Sequence, residues 1–205
     1  MGLLRRARGG DPAATAAFPP GWPIEGYEPS AFPVGFKEVV GEVLSVAPVQ
    51  AKLPFYLEVR SACGPVAALS LGGADDLARM VCGEGAWCLN KRRSVGWELV
   101  IESLDRQHVG WYSGRSWLPG GTISSTDGTQ VDLRRAVGSG WKLEAVDTGQ
   151  RVADIRGGGA MSAWDMSLIV RSIPSSSGRG SLVFLTACAI VMLNRRLRVD
   201  GPTSA

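Results

Sequence analysis

Leu182-Val183-Phe184-Leu185-Thr186-Ala187-Cys188-Ala189-Ile190-Val191-Met192-Leu193 is apolar on every side, and Asn194-Arg195-Arg196-Leu197-Arg198 follows at once. A helix that is hydrophobic all round must be enclosed by lipid or by protein. Crossing a bilayer takes about 20 apolar residues, and runs of about 10–14 are more often buried helices. Extending the span to Val199 would carry Arg195, Arg196 and Arg198 toward hydrocarbon, where each central arginine costs about 2.5–3.5 kcal/mol. The length therefore predicts a helix over 181–198 enclosed by the protein itself, with Ser181 as its N-cap. The arginines after it suit the negative end of a helix dipole. The alternative is a C-tail anchor carrying a cytosolic β domain.

Upstream of this run the pattern changes to a period of two. Phe55, Leu57 and Val59 share a face opposite Glu58 and Arg60; Trp97, Leu99 and Ile101 oppose Glu98 and Glu102. Val131 and Leu133 alternate with Gln130, Asp132 and Arg134, and Trp141, Leu143 and Ala145 with Lys142 and Glu144. Trp164, Met166, Leu168 and Val170 alternate with Asp165 and Ser167. Such alternation marks strands with one dry and one wet face. Cys63-Gly64, Asp105-Arg106-Gln107, Asp127-Gly128 and Asp147-Thr148-Gly149 separate them as hairpin turns, because Asp and Gly tolerate the positive φ that tight turns need. About ten strands precede residue 172 on this reading. Gly73–Met80 reads as one short helix or turn.

Strands and helix solve each other's burial problem. A closed ring of that many strands leaves a lumen too wide for strand side chains alone to fill, and a uniformly apolar helix fits it. The expected fold is mainly β, a closed antiparallel barrel around a buried hydrophobic C-terminal helix. Residues 1–35, rich in Pro, Gly and Ala, read as a flexible arm that Trp22, Tyr27 and Phe32 could pin to a surface. Residues 36–199 form the barrel domain, and 200–205 a disordered tail.

The order of hairpins and a final apolar helix resembles the tubby C-terminal domain, with its relatives the phospholipid scramblases and LURP-one-related proteins. The resemblance spans roughly 37 to 199. It rests on Trp111–Ile123, on Thr126-Asp127-Gly128 through Arg135, on Trp141–Asp147 and on Leu182–Leu193. It implies a barrel of about twelve strands around the helix, and a role in binding anionic lipid or another partner. It carries no catalytic signature.

The net charge of +3 does not call for a nucleic-acid partner. Basic residues cluster at Lys91-Arg92-Arg93, at Arg134-Arg135 and after the helix. Lys91, Arg92, Arg93, Arg134 and Arg135 are the candidate anion-binding residues if their loops converge; otherwise they are ordinary solvated charge. Cys82 and Cys88 lack a second pair, so no metal site is expected, and no cofactor is expected either. Gly83-Glu84-Gly85 lacks the third glycine and the following helix of a dinucleotide loop. The single histidine, His108, would have to serve any hydrolase, a weaker alternative. Gly2 lacks the Ser or Thr that myristoylation wants, since position 6 is Arg6. The basic start has no apolar core of a secretory signal. Cys63, Cys82, Cys88 and Cys188 form no framework and read as reduced thiols. The seven tryptophans read mostly as barrel packing, with Trp117 the best candidate for exposure. The expected protein is a non-enzymatic, cytoplasmic binding module, peripheral to a membrane where its partner is anionic lipid.

Overall fold

The computed structural model describes residues 24, 27–50, 55–72, 77–91, 98–114, 120–138, 140–157, 165–174 and 179–199. Twelve antiparallel strands close into one barrel. They are β1 (Val43–Gln50), β2 (Phe55–Ser61), β3 (Gly64–Leu71), β4 (Ala78–Cys82), β5 (Gly85–Lys91) and β6 (Glu98–Ser103). Then come β7 (His108–Gly114), β8 (Gly120–Ser125), β9 (Gln130–Arg135), β10 (Trp141–Ala145), β11 (Arg151–Gly157) and β12 (Met166–Val170), followed by the helix α1 (Gly180–Val199). Each strand pairs with the next in sequence, and β1 closes the ring on β12 from Val43↔Ile169 to Val46↔Met166. Closure removes the open edges through which β-proteins aggregate.

The alternating strands place their apolar faces inward as the sequence predicts. Leu57, Val59, Ile101, Val131, Leu133, Leu143, Leu168 and Val170 are fully buried in one cluster with the helix. On α1, Leu182–Leu185, Ala187–Ala189, Val191 and Met192 have no measurable exposure, and Ile190 has 3%. No helix among the described residues is long and apolar enough to cross a membrane; this one fills the barrel. Burial of each large side chain here contributes roughly 1.5–3 kcal/mol. The hydroxyl of Thr186, the most polar group at mid-helix, donates to Met80 Sδ at 3.9 Å.

Two local expectations fail. Residues 78–80 belong to β4, hydrogen-bonded to β3 and β5 on its two sides, and not to a helix; residues 73–76 of that expectation lie outside the described part. Ser181 is not the N-cap. The helix already begins at Gly180, and Ser181 is buried within its first turn with its Oγ unpartnered. Gly180 is held so close to Ile173 that a Cβ would meet Cγ2 at 2.7 Å, so glycine lets the chain enter the barrel there.

Before β1, Phe36 and Val39 enter the core, and the Phe36 ring lies 5.5 Å from that of Phe184. They close the end of the barrel where α1 enters. Farther back, Ile24 and Phe32 are buried against Ala68, Val81 and Ala86 on the outer wall of β3, β4 and β5. Tyr27 stacks on Phe32 with centroids 5.9 Å apart, and Pro29–Ala31 forms a single 3-10 turn between them. Trp22 lies outside the described residues. The two-sided covering explains why β3 is buried at every position from Val66 to Leu71.

Candidate functional site: the two ends of the barrel

An up-and-down barrel sorts its connections by parity. The turns β2–β3, β4–β5, β6–β7, β8–β9 and β10–β11 gather at the end where α1 enters. The connections β1–β2, β3–β4, β5–β6, β7–β8, β9–β10 and β11–β12 gather at the end where it leaves. Two contacts fix the helix in this frame. Arg179 Nη1 donates to Thr126 Oγ1 at 2.6 Å in the β8–β9 turn. Arg195 Nη1 donates to the carbonyl of Asp165, just before β12, at 3.3 Å.

The entry end mixes exposed acids with the exposed cations Lys37, Arg106 and Arg151, whereas the exit end carries exposed cations with Asp165 as its exposed acid among the described residues. Glu84, Asp105, Asp127 and Asp147, one in each of four turns, are exposed at the entry end, together with Glu38. Two of these acids have a local task. Asp127 accepts from Thr129 N at 3.0 Å and Asp147 from Thr148 N at 2.8 Å, both bracing their turns. At the exit end Lys91, Arg135 and Arg156 are exposed at the ends of β5, β9 and β11. Among the described residues none of the three has an ion-pair partner. Arg195 is half-buried at the end of the helix, where loss of water lowers its pKa. Lys91 and Arg135 share the inward parity of Leu89 and Leu133 and lie at the mouth where the helix emerges, whereas Arg156 shares the parity of Asp154 and sits on the outer wall at that end.

The predicted anion site therefore divides. Lys91 and Arg135 are brought to the same end. Arg134 is not part of it: it points to the outer wall, where its Nε donates to Asp132 Oδ2 at 3.1 Å and lies 3.9 Å from Glu144. The hydrogen bond to Asp132 raises its pKa. Thr122 and Lys142 complete this neutral ladder, with Thr122 donating to Asp132 at 2.7 Å and Lys142 to Glu144 at 2.8 Å. Adjacent residues in a strand face opposite ways, so Arg134 and Arg135 could not both serve one surface. Arg92 and Arg93 lie outside the described residues. Arg156 was missed by sequence reasoning because it stands alone, with no basic neighbour; only strand order shows where it ends up.

Other candidates are dispersed. His108 is exposed on the outer wall, its ring 5.9 Å from that of Trp111. Trp111 is itself 38% exposed, whereas Trp87 and Trp141 are buried; Trp97, Trp117 and Trp164 lie outside the described residues. Cys82 faces the core, and Cys88 lies on the outer face of β5, so the two do not converge on a metal. There Cys88 accepts from Asn90 Nδ2 at 3.3 Å, beside Glu102 and Arg106. No group of three or more metal-ligating side chains exists among the described residues. Burial raises the thiol pKa of Cys82 to about 11 and of Cys188 to about 12.

Among the described residues Asp154 is the one deeply buried carboxylate, 1% exposed on the outer wall between Arg151 and Arg171. Arg171 Nε donates to it at 2.6 Å, tying the segment after β12 back to β11.

No family model matches this chain, and no curated protein or solved structure is significantly similar to it.

Proposed function

We propose that the protein is a non-enzymatic binding module that takes an anionic partner, a phospholipid surface or an acidic protein, at the exit end of its barrel. One observation carries this reading. Residues far apart in sequence, Lys91, Arg135 and Arg195, meet at one mouth, with Arg156 on the outer wall of the same end, while the opposite mouth mixes acids with cations. An anion approaching this molecule is attracted to the exit-end cations. The closed ring of twelve strands around a C-terminal helix is also the architecture that the resemblance to the tubby C-terminal domain implies, which supports membership of that superfamily. The reading places the protein in the cytoplasm, where its four cysteines, all free, stay reduced.

The test is co-sedimentation of the full chain with vesicles of phosphatidylcholine, with and without phosphatidylserine, across a salt series. Binding only to the anionic vesicles, weakening as salt rises, is the expected result. Equal binding to both kinds, or binding indifferent to salt, would overturn a charge-directed role.

A further inference from the structure

The three buried thiols of the barrel have different surroundings. Cys82 and Cys188 belong to the core. Cys88 alternates with Trp87 and Leu89, which enter the core, and so faces the outer wall. Its neighbours there are polar. Glu102 pairs with it across the β5–β6 ladder, and the thiol donates to Glu102 Oε2 at 3.8 Å. Asn90 Nδ2 donates both to Cys88 Sγ, at 3.3 Å, and to Glu102 Oε2, at 3.0 Å. Arg106 Nη1 does the same at 3.8 and 3.4 Å. A nucleophile, a carboxylate beside its proton and two N–H donors thus share one spot on the wall. The carbonyl of the same amide, Asn90 Oδ1, is buried with no donor among the described residues. Arg106 reaches the sulfur from the β6–β7 turn with φ 60°, the one positive value of a non-glycine residue among those described. Gly or Asn suits such a position better. The arginine is explained by where its guanidinium lands, and not by the turn.

We propose that Cys88 is a site of reversible oxidation by hydrogen peroxide, with Glu102 as the base for its thiol and Asn90 and Arg106 as donors to the developing negative charge. Glu102 Oε2 takes the thiol proton, and the sulfur electron pair attacks one peroxide oxygen. The S–O bond forms as the O–O bond breaks. The departing hydroxide, held by Arg106, takes the proton back from Glu102 and leaves as water. Sulfur is oxidised by two electrons to a sulfenic acid, and peroxide is reduced to water. The sulfenic hydroxyl is a donor of the kind that Asn90 Oδ1 lacks. A free thiol then displaces water to form a mixed disulfide, and a second thiol returns Cys88 to its reduced form. Access is through the solvated side of the cluster. The sulfur itself has no exposed surface, but the side chains against it do, Arg106 being 60% and Glu102 26% exposed. A swing of one arginine admits a molecule the size of peroxide and still excludes a bulky disulfide reagent.

The experiment treats the full chain with hydrogen peroxide and a cyclic 1,3-diketone that traps sulfenic acid, and reads each cysteine peptide by mass spectrometry. The exposed Cys63 is the internal reference. Cys88 should gain one oxygen before Cys63 does, be trapped by the diketone, and be restored by reduced glutathione. Glu102→Gln should slow this about tenfold or more. Arg106→Gly separates two roles, because glycine suits the positive φ while uncovering the sulfur. An arginine that only shields Cys88 would leave the variant faster; the proposal expects it about tenfold slower, with circular dichroism unchanged in both variants. Oxidation of Cys63 ahead of Cys88, an unchanged rate in Glu102→Gln, or a faster one in Arg106→Gly would overturn the site. Sulfinic or sulfonic acid as the only product, which glutathione does not restore, would overturn its reversibility.

Discussion

The two mouths of this barrel are built from the same strands and differ in how they are closed and where their charge sits. At the entry end the connections are tight, and each of four turns carries an acid, two of them used to brace the turn itself. The core is sealed there by Phe36 and Val39. At the exit end Lys91 and Arg135 are spread over separate strands, have no partner among the described residues, and lie at the mouth where the helix emerges. Acid at a turn has a structural explanation in local hydrogen bonding. Lys91 and Arg135, without a partner among the described residues, have none. That difference is why the exit end is taken as the functional one.

The largest effect expected is on the fold that makes the two ends distinct. Phe184→Ala removes a fully buried ring against Phe36 and should cost about 3–5 kcal/mol, read as a fall in the urea midpoint. A fall below about 1 kcal/mol would mean that the helix is not packed as described. Next comes the outer-wall clamp. Asp154→Ala should cost about 2 kcal/mol by leaving Arg151 and Arg171 without their shared acceptor. The loss is moderated because both arginines are about half exposed. Unchanged stability would show that the segment after β12 is held by other contacts.

Titration sharpens the contrast between core and surface. Cys82 and Cys188 have folded pKa values raised from an ordinary 9.0 to about 11 and about 12. A raised folded pKa contributes stability that is present below the unfolded value and is lost as pH climbs through the folded one. Stability should therefore decline from about pH 9 upward, and less so in a Cys82→Ala, Cys188→Ala protein when each is referred to its own neutral value. An identical alkaline profile in the two would refute it. Under native conditions at pH 8, Cys63 should react with a disulfide reagent well before the three buried thiols. The smallest effect is the most telling for function. Asp105→Asn or Asp147→Asn at the entry end should shift stability by about 0.5 kcal/mol or less and leave vesicle binding unchanged, in contrast to charge reversal at the exit end.

Much of this fold is legible in the sequence. The period of two in β2, β6, β9, β10 and β12, and the Asp-Gly turns at the entry end, directly encode strands with one wet face. The twelve-residue apolar run encodes the plug. The sequence does not reveal β4, whose residues read as a short helix or turn. With Arg79 as its one polar residue, β4 does not alternate cleanly, because its neighbourhood is covered on both sides, by α1 within and by the Ile24–Phe32 segment without. A strand buried on two faces looks like any short apolar run. The glycines of β8 were visible but not readable. A Cβ on Gly121 would sit 2.2 Å from the Ser113 carbonyl and 2.8 Å from the Tyr112 ring, a constraint that exists only once β7 and β8 pair. The basic site was half legible for the same reason. Clusters such as Arg134-Arg135 attract the eye, yet strand parity separates them and sets the lone Arg156 on the outer wall.

Hydrogen–deuterium exchange of the full chain, with and without phosphatidylserine-containing vesicles, tests the account most directly because it reads both ends and the core at once. The account predicts that the amides of Leu182–Leu193 exchange slowest in both conditions. Vesicles should add protection around Ala136–Gly140 and leave Asp105–Gln107, Asp127–Gly128 and Asp147–Gly149 unchanged. Fast exchange in the helix, or new protection at the entry-end turns, would contradict it.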